Sequence, residues 1–200
     1  MKVTGVIQAG GKSTRMGGRP KALIELGGRR IIDRVVEVVR AVTDDLLIVT
    51  NTPDAYAALG VRMVPDVLPD RGSLGGIYSG LLAAAGDAAF TVACDMPFLL
   101  PEVARLVIDR AALADVVVPT SGGRLETLHA CYGKRCLGPM ASRLHRGQLR
   151  ITDFFDEVRV LVVGEDEVAR LRAPELAFMN VNTPEELARA RDLLAGLEAA

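Results

Sequence analysis

A chain of 200 residues, half of them apolar, buries roughly 70% of the surface its unfolded form exposes, so its core needs neither disulfides nor a structural metal. With 24 basic against 25 acidic side chains and a formal net charge of −1, it lacks the cationic excess that coats a phosphate backbone or an anionic membrane; with 4% aromatics and no Trp it lacks stacking platforms for single-stranded nucleic acid. Cys94, Cys131 and Cys136 form no C-x-x-C pair and no apolar run approaches the ~18 residues of a membrane span, so the expectation is one domain over residues 1–200, soluble and cytoplasmic, with no nucleic-acid or membrane partner.

Short β-branched runs alternate with longer segments of helical period, the pattern of a parallel sheet with helices on its faces. Val3 to Gln8 reads as the first strand. Ile31, Val35, Val38 and Val42, with Ile32, Val36 and Val39 beside them, predict a long helix in spite of their modest propensity. Leu46 to Thr50, Val61 to Val64, Phe90 to Ala93 and Val116 to Pro119 read as further strands, with helices over Leu74 to Ala85 and Pro101 to Leu113. Ser121-Gly122-Gly123-Arg124 is turn chemistry, so Leu125 to Tyr132 is expected as a hairpin strand and the sheet as mixed. Thr183-Pro184-Glu185-Glu186 supplies an N-cap, a Pro at the first helical position and a capping-box Glu for the last helix.

Directly after the first strand, the stretch from Gln8 to Lys21 combines four glycines with the four cations Lys12, Arg15, Arg19 and Lys21. Glycines admit phosphate oxygens close to backbone N–H groups, and the cations neutralise a nucleoside triphosphate. Two familiar phosphate loops fail on spacing: a P-loop would need Gly where Val6 stands, and a dinucleotide fingerprint would need Gly at Lys12. Asp95 follows an apolar strand and precedes Met96-Pro97; a hard carboxylate there suits Mg2+, and its rival role is to cap the helix near Pro101. His129 and His145 show no ligand spacing, and His129 reads as a satisfied strand residue. Lys134, Arg135, Arg143, Arg146 and Arg150 read as a solvated helix face, with a phosphate or partner contact as the sharper alternative.

Ala9-Gly10-Gly11-x-Ser13-x-Arg15-Met16-Gly17 followed by Lys21 resembles the signature of the molybdenum cofactor guanylyltransferases, within the nucleotidyltransferase superfamily. Val64-Pro65-Asp66, Gly72-Ser73-Leu74-Gly75-Gly76-Ile77, Ala93-Cys94-Asp95-Met96-Pro97 and Phe178 to Leu187 resemble its later blocks in the same order, so the likeness spans nearly the whole chain. Gln8 replaces the family's usual Leu, and Thr127 stands where Pro is common.

The resemblance implies a Rossmann-like three-layer α/β/α nucleotidyltransferase fold with a mostly parallel mixed sheet. It implies Mg2+-dependent transfer of GMP from GTP to the phosphate of molybdenum-molybdopterin, and transient contact with molybdenum insertion proteins or molybdoenzyme chaperones. Lys12, Arg15 and Lys21 would hold the triphosphate and Asp95 the Mg2+; Gln8, Ala9, Gly10, Gly11, Asn51, Asp66 and Asn182 would line the nucleotide site, with Asn180 or Asn182 against metal or pterin phosphate. Turn chemistry is the rival role of Asn51 and Asp66, and the Thr183 cap that of Asn182. Rival functions are another nucleotidyltransferase on the same scaffold, such as a molybdopterin cytidylyltransferase, and a silent nucleotide-binding module.

Overall fold

The computed structural model describes residues 1–10, 20–171 and 174–198. Gly11, Lys12 and Arg15 of the glycine and cation loop lie outside the described residues.

The chain runs β1 (Val3–Gln8), a small hairpin of β2 (Glu25–Leu26) and β3 (Arg29–Arg30), α1 (Ile31–Val42), β4 (Asp45–Val49), β5 (Arg62–Val64), α2 (Gly72–Ala83) and β6 (Ala88–Ala93). It continues with α3 (Pro101–Ile108), β7 (Val116–Ser121), β8 (Arg124–Leu125), β9 (His129–Gly133), α4 (Leu137–His145), β10 (Val160–Val163), α5 (Glu165–Val168) and α6 (Pro184–Glu198). The main sheet has the order β10-β7-β9-β6-β1-β4-β5, with β8 pairing off β7. β1 pairs in parallel with both β4 and β6, whereas β9 lies antiparallel between β6 and β7. The sheet is therefore mixed and mostly parallel, as the sequence predicts.

Alternation along each strand divides the core into two layers. Ile7, Ile48, Phe90, Val117 and Cys131 face α1, α3 and α6 on one side; Val6, Val49, Ala89, Val118 and Ala130 face α2 and α4 on the other. Helix α1 forms because Ile31, Ile32, Val35, Val36 and Val39 are all buried on one stripe. Each such side chain gains about 1.5–3 kcal/mol on burial against a propensity cost of at most about 0.7 kcal/mol, so packing wins.

Several element boundaries differ from the sequence reading. Helix α3 stops at Ile108 rather than Leu113, because the amides of Arg110, Ala111 and Leu113 turn to carbonyls three residues back. The strand expected from Leu125 to Tyr132 is split in two. Gly122 and Gly123 take left-handed φ of 56° and 72°, closing a two-residue hairpin between β7 and β8, and the chain re-enters the sheet only at His129. The basic stretch includes α4, but two of its cations have structural partners. Lys134 donates to the Ala84 carbonyl at 2.8 Å beyond the end of α2, and Arg143 pairs with Glu157 at 2.7 Å. Among the described residues, no helix is long and apolar enough to cross a membrane.

Helix α2 owes its place to missing side chains. A Cβ on Gly80 would lie 2.3 Å from Val6 Cγ1, and one on Gly76 would lie 2.5 Å from Gln8 Oε1, so glycines let the helix settle directly on β1. Alanine at Gly80 gains about 1 kcal/mol in helix propensity but must push back a stiff β-branched neighbour, which costs more. Gly80→Ala is expected to destabilise the fold by roughly 1–3 kcal/mol net, read as a lower urea midpoint at unchanged m-value.

His129 corrects one expectation: it is a fully buried strand residue, but it is not satisfied. Both ring nitrogens lack a hydrogen-bond partner among the described residues, and the ring packs edge-on against Phe90 at 5.2 Å and Phe178 at 5.0 Å. Burial pushes its pKa down from 6.5 to about 3. Between those values the unfolded chain binds a proton that the native state refuses, so stability falls as pH falls through that window. His129→Phe is expected to remove about 1.4 kcal/mol per pH unit of that slope, measurable by urea unfolding from pH 7 to pH 4.

Candidate active site

β1 has parallel neighbours on both edges, so three strand ends meet at one rim, at the point where the strand order reverses and open α/β sheets bind ligands. The rim is pinned by backbone bonds that extend the ladders past the strands. Ala9 N–H donates to the Val49 carbonyl at 2.9 Å, and Cys94 N–H donates to the Gln8 carbonyl at 3.1 Å. Two cavities, of about 520 and 590 Å³, open on either side of the β1 end and share Gln8, Gly10 and Ser73.

The first cavity lies towards β6. It brings together Gln8, Ala9, Gly10, Lys21, Asp95 and Asn182, with Asn180 and Cys94 beside them. Lys21 Nζ, from a short turn after Pro20, donates to Asn182 Oδ1 at 2.8 Å. The Asp95 carbonyl accepts the Val181 N–H at 2.9 Å, which ties the segment before α6 to the end of β6. That segment is held from the other side by the predicted capping box: Glu186 accepts from Asn182 N at 2.6 Å and Thr183 N at 3.0 Å, while Thr183 Oγ1 accepts from Glu186 N at 3.2 Å.

Among the described residues, Lys21 and Asp95 are the charged side chains that line the first cavity. Burial raises the Asp95 pKa and the Glu186 carboxylate adds to the rise, while Lys21 and a backbone hydrogen bond oppose it. A half-buried carboxylate in that state is a ready partner for a further cation or a protonated group. Burial, and secondarily Asp95, push the Cys94 thiol up to about 12, away from the thiolate that nucleophilic attack needs. Tyr56, also on this wall, is pushed up to about 12 by burial.

The second cavity lies towards β4 and β5. Asn51 and Asp66 line it, separated from Asp95 by the end of β1. Asn51 Oδ1 accepts the Asp66 N–H at 3.0 Å. Asp66 Oδ1 in turn accepts from Leu68 N at 3.1 Å and Ser79 Oγ at 2.8 Å, so this oxygen is committed to the turn ahead of α2. The first turn of α2 opens on the same wall with Gly72 and Ser73 and carries no acidic side chain, leaving its positive dipole end available to an anion.

Ser73, shared by both cavities, entered the sequence reading only within the Gly72 to Ile77 block and without a role, and Tyr56 was not singled out. The signal for Ser73 is the glycine spacing at 72, 75, 76 and 80, which marks α2 as a helix that presses its first turn against a strand end. Tyr56 carries no such signal.

A family model described as the MobA-like NTP transferase domain matches residues 5–160. A molybdenum cofactor guanylyltransferase from Desulfosudis oleivorans is 41% identical over 189 residues, covering 94% of each chain. The crystal structure of molybdopterin-guanine dinucleotide biosynthesis protein A from Archaeoglobus fulgidus superposes with a TM-score of 0.83 at 22% identity, covering 96% of this chain and 99% of that one. By sequence over most of its length and by fold over nearly all of it, this chain belongs to the MobA-like NTP transferase family.

Proposed function

We propose that this nucleotidyltransferase moves GMP from GTP to the phosphate of molybdenum-molybdopterin, forming molybdopterin guanine dinucleotide and pyrophosphate. The observation that carries the reading is the pair of cavities joined at Gln8, Gly10 and Ser73, one lined by turn residues suited to a nucleoside and the other by Asp95, Lys21 and Asn182. Two substrates placed on the two sides of β1 meet at that junction. The 41% identical guanylyltransferase supports the choice of nucleotide and acceptor.

An acceptor phosphate oxygen attacks the α-phosphorus of GTP in line; the new P–O bond forms as the bond to the bridging oxygen of pyrophosphate breaks. The acceptor is already ionised at neutral pH, so no residue has to remove a proton. What the protein supplies is position and charge. Lys21 lines the first cavity from a short turn and neutralises triphosphate oxygens; Lys12 and Arg15 are assigned the same task on the resemblance of their loop.

The donor set fits Mg2+. No group of three metal-ligating side chains exists among the described residues, but Mg2+ is commonly held by one or two carboxylates with substrate phosphates and water. Asp95, a carboxylate whose burial disfavours its lone negative charge, would hold the ion, with Asn182 beside it. When bound, the ion supplies neutralisation of the phosphate charge.

The test is pyrophosphate release with GTP, CTP, ATP and UTP, with Mg2+ or with chelator, and with or without molybdenum-molybdopterin. GTP-selective release that needs both the acceptor and the metal is expected; a CTP preference would move the chain to cytidylyl transfer. Asp95→Asn is expected to lower turnover about 10²–10³-fold with an unchanged thermal midpoint, and retention of full Mg2+-dependent turnover would remove Asp95 from the metal site. Lys21→Ala removes a charge-assisted contact and is expected to weaken GTP binding roughly 10–100-fold by equilibrium titration.

A further inference from the structure

Tyr56 is the one buried residue of the short 3-10 helix Pro53–Leu59, which connects β4 to β5. Pro53 opens that helix, and Gly60 closes it at a left-handed φ of 59° with its N–H on the Ala57 carbonyl. The side chain belongs to the apolar layer on the α1 side of the sheet and is 3% exposed, so burial fixes the ring in place. Packing of that kind would be served as well by Phe.

The hydroxyl is what packing leaves unexplained. It makes no hydrogen bond among the described residues. Nor is it one of the unpaired polar atoms sealed from the surface, as both ring nitrogens of His129 are, so the oxygen opens on the first cavity, which Tyr56 lines.

The other groups on that cavity define what the hydroxyl can meet. Asp95 brings a carboxylate, the Cys94 thiol is a weak donor, the Asn180 amide donates to the Phe178 carbonyl at 3.2 Å, and Lys21 commits one N–H to Asn182. A phenol is neutral at pH 7, and burial, helped by Cys94, pushes this one up to about 12. Tyr56 is therefore a donor that brings no charge, and an O–H donor gains most when its acceptor oxygen is ionised. The second cavity is lined by other residues, which places this donor on the acceptor's side of β1.

Resting on the transfer reaction proposed above, we propose that the Tyr56 hydroxyl donates a hydrogen bond to a phosphate oxygen of the substrate in the first cavity, the phosphate of the acceptor, and so positions it for attack. The proton stays on the phenol throughout. The triphosphate of the nucleotide presents ionised oxygens of the same chemistry, and the two sources differ in which step loses the bond when the hydroxyl is removed.

The experiment compares the wild-type chain with Tyr56→Phe in three measurements: the thermal midpoint without ligand, equilibrium titration with GTP and Mg2+, and pyrophosphate release against the concentration of molybdenum-molybdopterin. The midpoint is expected to stay within about 2 °C, because the hydroxyl has only water to bond in the ligand-free protein as in the unfolded chain. GTP affinity should stay within about twofold while kcat/KM for the acceptor falls roughly tenfold. A tenfold loss of GTP affinity at an unchanged acceptor kcat/KM keeps the bond and moves it to the triphosphate. A midpoint lowered by more than about 5 °C would give the hydroxyl a partner inside the protein and overturns the proposal, as do a GTP affinity and an acceptor kcat/KM that both match the wild type. A wild type that turns over CTP in preference to GTP overturns the guanylyl reading alone, since the same comparison made with CTP still decides the role of Tyr56; a wild type that releases pyrophosphate from no nucleotide overturns both.

Discussion

Parallel pairing of β1 to β4 on one edge and to β6 on the other is the constraint from which the cleft follows. Three carboxyl ends arrive at one rim, and the crossovers depart to opposite faces: α1 covers one side of the sheet and α2 the other. The amides of Ala9 and Cys94 then carry the ladder one step beyond the strands, which locks the stretches around Gln8 and Asp95 to each other. Groups placed on such strand ends are held more rigidly than groups on free loops. The glycines of α2 complete the arrangement, because only a helix without side chains at positions 76 and 80 can approach the sheet closely enough to bring Gly72 and Ser73 to the same rim.

The two sides of β1 have contrasting electrostatics. Towards β5, Asp66 spends one oxygen on the turn that carries it, which fixes the carboxylate's orientation. Towards β6, burial disfavours the Asp95 charge while Lys21 and a backbone hydrogen bond offset it, and Lys21 itself is held on Asn182. One wall is thus organised for directional hydrogen bonding and the other for charge. Such a division suits a reaction in which a base must be recognised while charge on phosphate is neutralised a few bonds away.

Much of this was legible in the sequence, for identifiable reasons. α1 and the core strands declare themselves through periodicity, since their apolar residues are the ones that pack; the capping box at Thr183 is a local hydrogen-bonding pattern, so it survives into the structure intact. The antiparallel insertion of β9 was less accessible. Its five residues carry no mark of direction, and its place between β6 and β7 is settled by long-range pairing such as Phe90 with Cys131. β10 and the β2-β3 hairpin went unread because both are short and lie at the margin of the core. Within the site, Asp95 and Lys21 stood out by chemistry and by resemblance, but their meeting with Asn182 joins parts of the chain far apart in sequence, which spacing cannot reveal.

That last contact bears on the order in which the protein is made. The strands β1, β4, β5 and β6 and the helix α2 are all encoded before residue 94, so the rim and the second cavity have their parts well before α6 is made. The partner of Lys21 and the clasp on the Asp95 carbonyl come from Asn182 and Val181, made long after β6, and α6 must form behind them to set their cap. A nascent chain can therefore shape the second cavity well before it owns a finished first one, whose closing contacts wait until α6 has been made.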